Sequence, residues 1–377
     1  MPKDLHVLVL SSWYPEHNHS RNGLFVMRQA EAIAAVGLKT GIIAAVAADV
    51  SDYRLLEQEE GGVPHVVVYY PQGDWLPVQA WRYFRAFLIA WKQYCVNFGK
   101  PNVLLNMISW RAGTFCLWLH YRYNLPYMYF EHWSAYLSES GYTMSYAVRY
   151  FSSLLAARAE QVGAVSQHLA LAMEKRALAS KVVVIPNVVN TEYFFARPNQ
   201  ERSRQLFVHV SNLASVKNLE LLLTAFRKLR REYPEARLLV AGVYDVEWAL
   251  AHYTGDMQGI DFIGAQSAES LAAIYRQATA LLLSSFYETF SIVVPEALAC
   301  GCPVISAELP AVKEHADLGR IIFVSDFSPE NWCKHMEACI ETQLNFIPDT
   351  EAIEKRYGKR QVGEAFKKLL QRIANVG

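Results

Sequence analysis

Short runs of consecutive apolar residues alternate along the chain with longer stretches whose apolar positions recur every three or four residues. The runs HVLVL (6–10), TGIIAAV (40–46), HVVVYY (65–70), NVLLNM (102–107), YMYFE (127–131), QVGAV (161–165) and VVVIP (182–186) predict strands. Helices are predicted between them over 24–36, 81–98, 112–122, 144–158 and 167–178. Strands that stay apolar without alternation are buried on both faces, as in a parallel sheet lying between two layers of helices. The polar stretch ARPNQERSR (196–204) breaks the pattern and reads as a linker. The alternation then restarts, with strands over 206–210, 236–242, 260–264, 280–285, 303–307 and 321–325 and helices over 218–232, 246–254, 267–278, 292–300 and 329–342. One more amphipathic helix closes the chain. The pattern therefore predicts an α/β chain of two doubly wound domains, 1–195 and 196–358, with a C-terminal helix (359–377) packing back towards the first. Sheets of this kind bind ligands at the carboxyl ends of their strands, so two facing domains would form a cleft there.

Composition narrows the function classes. The 377 residues carry 36 Lys and Arg against 36 Asp and Glu, so no global basic field draws the chain to nucleic acid. The apolar start, MPKDLHVLVLSSWYP, is too short for a secretory signal and reads as a buried strand. No apolar run reaches membrane-spanning length, and the expectation is a cytoplasmic protein. The six cysteines lack metal-ligand spacing and read as small buried hydrophobes. No Gly-rich dinucleotide fingerprint follows the first strand, and there is no P-loop, H-E-x-x-H or G-x-S-x-G. No D-x-D pair occurs, which removes the usual carboxylates for holding a divalent ion on a sugar-nucleotide diphosphate. No cofactor or metal is expected. Any bound phosphate would need cationic side chains, backbone N–H groups or helix starts.

The stretch SSFYETFSIVVPEALACGCPVI (284–305) sets two acids, Glu288 and Glu296, among apolar residues. Glu288 is expected on the loop after a strand, and Glu296 in the opening turns of the next helix, with Ser291 as the N-cap. Read alone, they could be a loop acid and an acid that complements the helix dipole. They could equally be ligands: Glu296 for a vicinal diol such as a ribose, with N–H groups around Ser291 and Ile292 facing an anion.

The surrounding pattern resembles the C-terminal signature of the retaining glycosyltransferases of family 4, E-x-F-G-x₄-E-A-x-A-x-G-x-P-V-I. Glu288, Phe290, Glu296, Ala297, Ala299, Gly301, Pro303 and Val304 match it, and Ser291 replaces the glycine. IPNVVNTEYF (185–194) resembles a second family segment, with Val188 for Gly and Asn190 for Asp. GAVSQHL and the stretch SSWYPEHNHSRNGLFVMRQAEAIAAVG resemble two more. The resemblance implies a GT-B fold, two Rossmann-like doubly wound parallel-sheet domains facing a central cleft. It also implies transfer of a sugar from a nucleotide diphosphate sugar, with UDP favoured and GDP second, to a glycan, lipid-linked glycan or small acceptor. Retention and metal independence would follow.

The same resemblance implies roles for particular residues. Lys217, in HVSNLASVKNLELLLTAF, matches a phosphate-binding lysine, and Asn212 stands where the family usually has arginine. Gly23 matches the glycine that lets backbone approach the diphosphate. His132, in YFEHWSAYL, matches a histidine near the anomeric carbon or the sugar 6-hydroxyl. Glu288 would hold sugar hydroxyls or acceptor, Glu296 the ribose, and the backbone at Ile263 the base. His132, Glu288 and Lys217 are the catalytic candidates. Gly23, Asn212, Lys217, Ile263, Phe290, Ser291, Ile292 and Glu296 are the donor-binding set. A sugar-nucleotide epimerase or hydrolase, or a non-catalytic nucleotide-sugar binder, stands as the alternative.

One further segment stands out. Residues 75–130 contain no Asp or Glu, six cations (Arg82, Arg85, Lys92, Lys100, Arg111, Arg122) and 16 of the chain's 48 aromatic residues. That suits peripheral contact with an anionic membrane. It equally suits a buried helix whose cations reach out to solvent.

Overall fold

The computed structural model describes residues 5–15, 23–73, 75–109, 111–197, 202–243, 245–342 and 346–374. Residues 16–22 of the loop after the first strand, and 198–201 of the expected linker, lie outside the described residues. The chain divides into two units, Met1–Val188 with Lys359–Gly377, and Val189–Gly358. The division falls before the polar stretch at 196 rather than within it.

In the first unit the strands are β1 (His6–Ser11), β2 (Lys39–Ala48), β3 (Arg54–Glu60), β4 (Val63–Pro71), β5 (Val103–Met107), β6 (Tyr127–Glu131), β7 (Gln161–Ala164) and β8 (Val183–Val184). The helices are α1 (Leu24–Ala35), α2 (Leu76–Phe98), α3 (Ala112–Tyr123), α4 (Tyr146–Arg158) and α5 (Gln167–Lys175). The sheet order is β3-β4-β2-β1-β5-β6-β7-β8, and only β3 is antiparallel to its neighbour. Strand order reverses between β1 and β5, whose residues are wholly buried. Strand β3 is absent from the predicted set because its RLLEQEE lacks an apolar face. It is an exposed edge strand, where charge is tolerated and discourages further pairing. Helix α2 starts at Leu76, earlier than the predicted 81, because Pro77 fits a helix's opening turn.

The second unit has β9 (Leu206–Val210), β10 (Arg237–Val243), β11 (Ile260–Gly264), β12 (Ala280–Leu283), β13 (Val304–Ala307) and β14 (Ile321–Val324). Its helices are α6 (Leu219–Glu232), α7 (Val246–His252), α8 (Ala268–Gln277), α9 (Val293–Ala299), α10 (Pro310–Lys313), α11 (Pro329–Thr342) and α12 (Thr350–Tyr357). All its strand pairs are parallel, in the order β11-β10-β9-β12-β13-β14, which is the doubly wound 3-2-1-4-5-6 arrangement. Asp245, Ser267 and Asp349 cap α7, α8 and α12 by accepting from N–H groups three residues on.

The chain returns to the first unit as α13 (Lys359–Ala374), which lies along α1. A Cβ on Gly363 would sit 2.1 Å from the Ala32 carbonyl, so glycine allows the two backbones to touch. Phe366 packs on Phe130, and Lys367 donates to the Val36 carbonyl at 2.7 Å. All six cysteines are free thiols, five of them buried.

Candidate active site

In the second unit, strand order reverses between β9 and β12, and the loops leaving these two strands carry the charged candidates. Residues Ser215–Lys217 form one 3-10 turn before α6. Ser284 Oγ donates across to the carbonyls of Lys217 (2.8 Å) and Asn218 (3.1 Å), and Phe286 N–H donates to Val216 O (2.9 Å). Laced in this way, the loops bring Lys217 Nζ to 2.7 Å from Glu288 Oε1. Ser285 Oγ donates to the same oxygen at 2.7 Å. A lysine at a helix start opposes the helix dipole and calls for an anion. Here that anion is Glu288.

Glu296 is buried in the first turn of α9. Pro295 occupies the third helical position, where its missing N–H leaves no helical bond unmade. Phe290 is buried, Ile292 caps α9 by its backbone, and Ile263 is half-buried near the carboxyl end of the edge strand β11. Asn212 is exposed, and its Oδ1 accepts from Ala214 N–H at 3.3 Å. It closes its own turn and adds no charge.

Ser291 corrects the sequence reading. It is not the N-cap: it lies one residue earlier at φ 62, in the left-handed region, and its side chain caps nothing. Its Oγ is buried with no hydrogen-bond partner among the described residues.

In the first unit, Gly23 has φ 89, and a Cβ there would lie 2.4 Å from the Trp13 carbonyl. Only glycine fits, for reasons internal to the β1–α1 loop. His132 follows β6 and is buried against Phe25, at 4.2 Å between centroids. Its Nε2 bonds Gln29 Oε1 at 3.1 Å, and Gln29 Nε2 donates to Asn187 at 3.3 Å. Gln29 Oε1 can only accept, so His132 carries its proton on Nε2. Burial lowers its pKa to about 3, so the ring is neutral.

Glu131, one residue earlier, is wholly buried. Its carboxylate accepts from the N–H groups of Ser109, His132 and Trp133 and from the Tyr129 hydroxyl. It ties together the loops leaving β5 and β6. The first of these holds Ile108 at φ 70, an uncommon place for a β-branched residue.

Residues 190–372 match the family described as Glycosyl transferases group 1, and residues 23–193 match Glycosyltransferase Family 4. The chain belongs to the family 4 glycosyltransferases. Its fold is GT-B. It superimposes on a sucrose-phosphate synthase from Thermosynechococcus elongatus with a TM-score of 0.76 at 17% identity, covering 99% of this chain and 100% of that one. Against Anabaena HepE in complex with UDP and glucose, the TM-score is 0.71 at 15% identity, covering 97% and 100%. Among curated relatives it is 30% identical over 138 residues to the D-inositol 3-phosphate glycosyltransferase of Segniliparus rotundus, covering 34% of this chain and 31% of that one. It is 30% identical over 130 residues to the N-acetyl-alpha-D-glucosaminyl L-malate synthase of Bacillus anthracis, covering 33% of each. The chain spans about a third of the length of these curated relatives.

Ser291 carries two costs. A non-glycine residue in the left-handed region costs about 1–2 kcal/mol, and an unsatisfied buried hydroxyl about 1–3. Ser291→Gly should therefore raise the stability of the second unit by about 1–2 kcal/mol, read by thermal or urea melts. An unchanged or lower melting point would show that the hydroxyl is satisfied and the backbone relaxed.

Sequence reading did not single out Ser285, Gln29 or Asn187. A lone serine or glutamine carries no pattern, Asn187 lies in the IPNVVNTEYF segment with no role attached to it, and each becomes visible only through its partner. Glu131 did leave a signal, an acid closing a run of apolar residues.

Proposed function

We propose that this glycosyltransferase moves a sugar from a nucleotide diphosphate sugar, UDP-linked in the first instance and GDP-linked in the second, with retention and without a metal. The acceptor would be a glycan, a lipid-linked glycan or a small molecule, in cell-surface polysaccharide or glycolipid synthesis. The observation that carries this reading is the Lys217–Glu288 pair at the β9/β12 reversal, with buried Glu296 at the start of the following helix. That HepE was solved with UDP and glucose supports the choice of donor.

In this reading the diphosphate takes Lys217 from Glu288, and the lysine then stabilises the charge that develops on the leaving group. The N–H groups of Ser291 and Ile292 add donors, and Asn212 borders the same loop. Glu288, once released, holds sugar hydroxyls. Glu296 accepts from the ribose diol, and the backbone near Ile263 meets the base. In the first unit, Gly23 is assigned to the diphosphate and neutral His132 to the reacting sugar. The acceptor attacks from the face the diphosphate leaves, and a departing phosphate oxygen takes its proton.

Titration with a panel of UDP-, GDP- and ADP-sugars, followed by product analysis with and without acceptor, tests the reading. One donor should bind and be transferred. Turnover without acceptor would favour an epimerase or hydrolase. Binding without turnover would favour a non-catalytic binder, for which the Ser291, Asn212 and Val188 departures speak.

We also propose that the N-terminal end of α2 meets an anionic membrane. Trp75, Leu76 and Trp81 are 68, 81 and 59% exposed beside Arg82 and Arg85, while Tyr83, Phe87 and Trp91 bury the other face. Among the described residues no helix is long and apolar enough to cross a membrane. The protein should float with phosphatidylglycerol vesicles at low salt, less so at high salt, and least as Trp75→Ser/Trp81→Ser. Failure to float at low salt would remove the proposal.

A further inference from the structure

His315, in KEHADLG, lies outside the 284–305 segment and the Lys217 loop. It follows α10 and is wholly buried. Its Nε2 is 2.8 Å from the Phe290 carbonyl oxygen, and its Nδ1 is 2.7 Å from the Tyr357 hydroxyl. A carbonyl can only accept, so Nε2 carries the proton and Nδ1 accepts from Tyr357. The three rings pack edge to face, at 4.9 Å for Phe290–His315, 5.6 Å for Phe290–Tyr357 and 5.5 Å for His315–Tyr357. Tyr357 is itself fixed, because its carbonyl accepts from Val189 N–H at 2.9 Å.

The Phe290 carbonyl belongs to the peptide plane whose N–H is that of Ser291. In a trans peptide the C=O and N–H point in opposite directions. Among the described residues no cis peptide occurs. Holding the carbonyl inward on a buried imidazole therefore turns the Ser291 N–H the other way. The same bond helps hold Ser291 in its left-handed conformation, which needs support from its surroundings. Burial lowers the His315 pKa to about 4, so the arrangement is intact at neutral pH.

We propose that His315, backed by Tyr357, is a positioning residue for donor binding: by gripping the Phe290 carbonyl it aims the Ser291 N–H at the donor diphosphate. This rests on the donor reading of the Glu288–Glu296 segment. The test titrates UDP, GDP and ADP in parallel into wild type, His315→Ala, His315→Gln, Tyr357→Phe and Glu296→Gln, below each variant's melting temperature. The tightest nucleotide should bind His315→Ala about 10-fold more weakly. His315→Gln, whose amide can still donate to Phe290, should recover most of that loss. Tyr357→Phe should fall between, and it carries the test if His315→Ala does not fold. In turnover the donor KM should rise while the acceptor KM stays constant, a split that general loosening would not produce. If Glu296→Gln weakens binding and the His315 and Tyr357 variants do not, the positioning role is wrong and the donor reading stands. If His315→Gln is no better than His315→Ala, the role is also wrong. If no nucleotide binds wild type, or Glu296→Gln changes nothing, the donor reading fails and takes this proposal with it.

Discussion

Glu288→Ala should lower turnover at least ~100-fold while binding the free nucleoside diphosphate at least as tightly as wild type. The two effects have opposite signs for one reason. Without donor, Glu288 occupies Lys217 at 2.7 Å. A diphosphate must break that pair, so removing the carboxylate leaves the lysine ready. The sugar, in contrast, loses the group that positions its hydroxyls. Stability should change little, by about 1 kcal/mol or less, because the released Lys217 is partly exposed and can be resolvated. Lys217→Ala should weaken diphosphate binding, and the double variant should fall short of the sum of the single effects, since the residues share one interaction. Near-normal turnover in Glu288→Ala, with the fold intact by circular dichroism, would refute the role given to Glu288. Weaker diphosphate binding in that variant would refute the exchange at Lys217.

Much of this molecule could be read from its residues, for identifiable reasons. Buried parallel strands such as HVLVL and NVLLNM need apolar residues on both faces, so they stand out against the helical periodicity around them. The charged edge strand β3 faces solvent, and the polar α12 buries little beyond Ile353 and Tyr357, so neither carries such a mark. The site divides in the same way. Glu288 and Glu296 stand out because an acid among apolar residues is costly unless it has work or a partner. Their meaning came from family resemblance, since Lys217 reaches Glu288 across 71 positions of chain only after the sheet has formed. Ser291 shows where local preference fails. Serine before an apolar run predicts an N-cap, yet the loop, held at Phe290 by His315, forces it into the left-handed region. His315 itself, in KEHADLG, could not have been singled out. Its significance lies in two partners on either side of it in sequence, and neither spacing is periodic.

Lowering the pH from 7.5 to 5 should cut the melting temperature by at least ~10 °C, as followed by calorimetry. Among the described residues five histidines are buried. Burial lowers His6, His65, His209 and His315 to about 4 and His132 to about 3, from an ordinary 6.5. Their folded values lie below the unfolded ones, so the unfolded chain binds more protons throughout the window between them. The stability they contribute is fully present above about 6.5 and drains away as pH falls towards 4. Each contributes up to about 1.4 kcal/mol per pH unit inside that window. Even a fraction of the five-fold total is large against the ~5–15 kcal/mol that holds a typical domain. Glu131 works the other way, since burial raises its pKa and the folded state takes up its proton more readily. It is one group, opposed by four hydrogen bonds to the carboxylate, and it does not offset five histidines. His6, His65 and His132 lie in the first unit and His209 and His315 in the second, so both should lose stability, whether they melt together or apart. A melting temperature that stays flat from pH 7.5 to 5 would mean that these imidazoles titrate in the fold as they do in water. His132 and His315 would then gain a proton in the fold below about 6.5 instead of staying neutral down to pH 5.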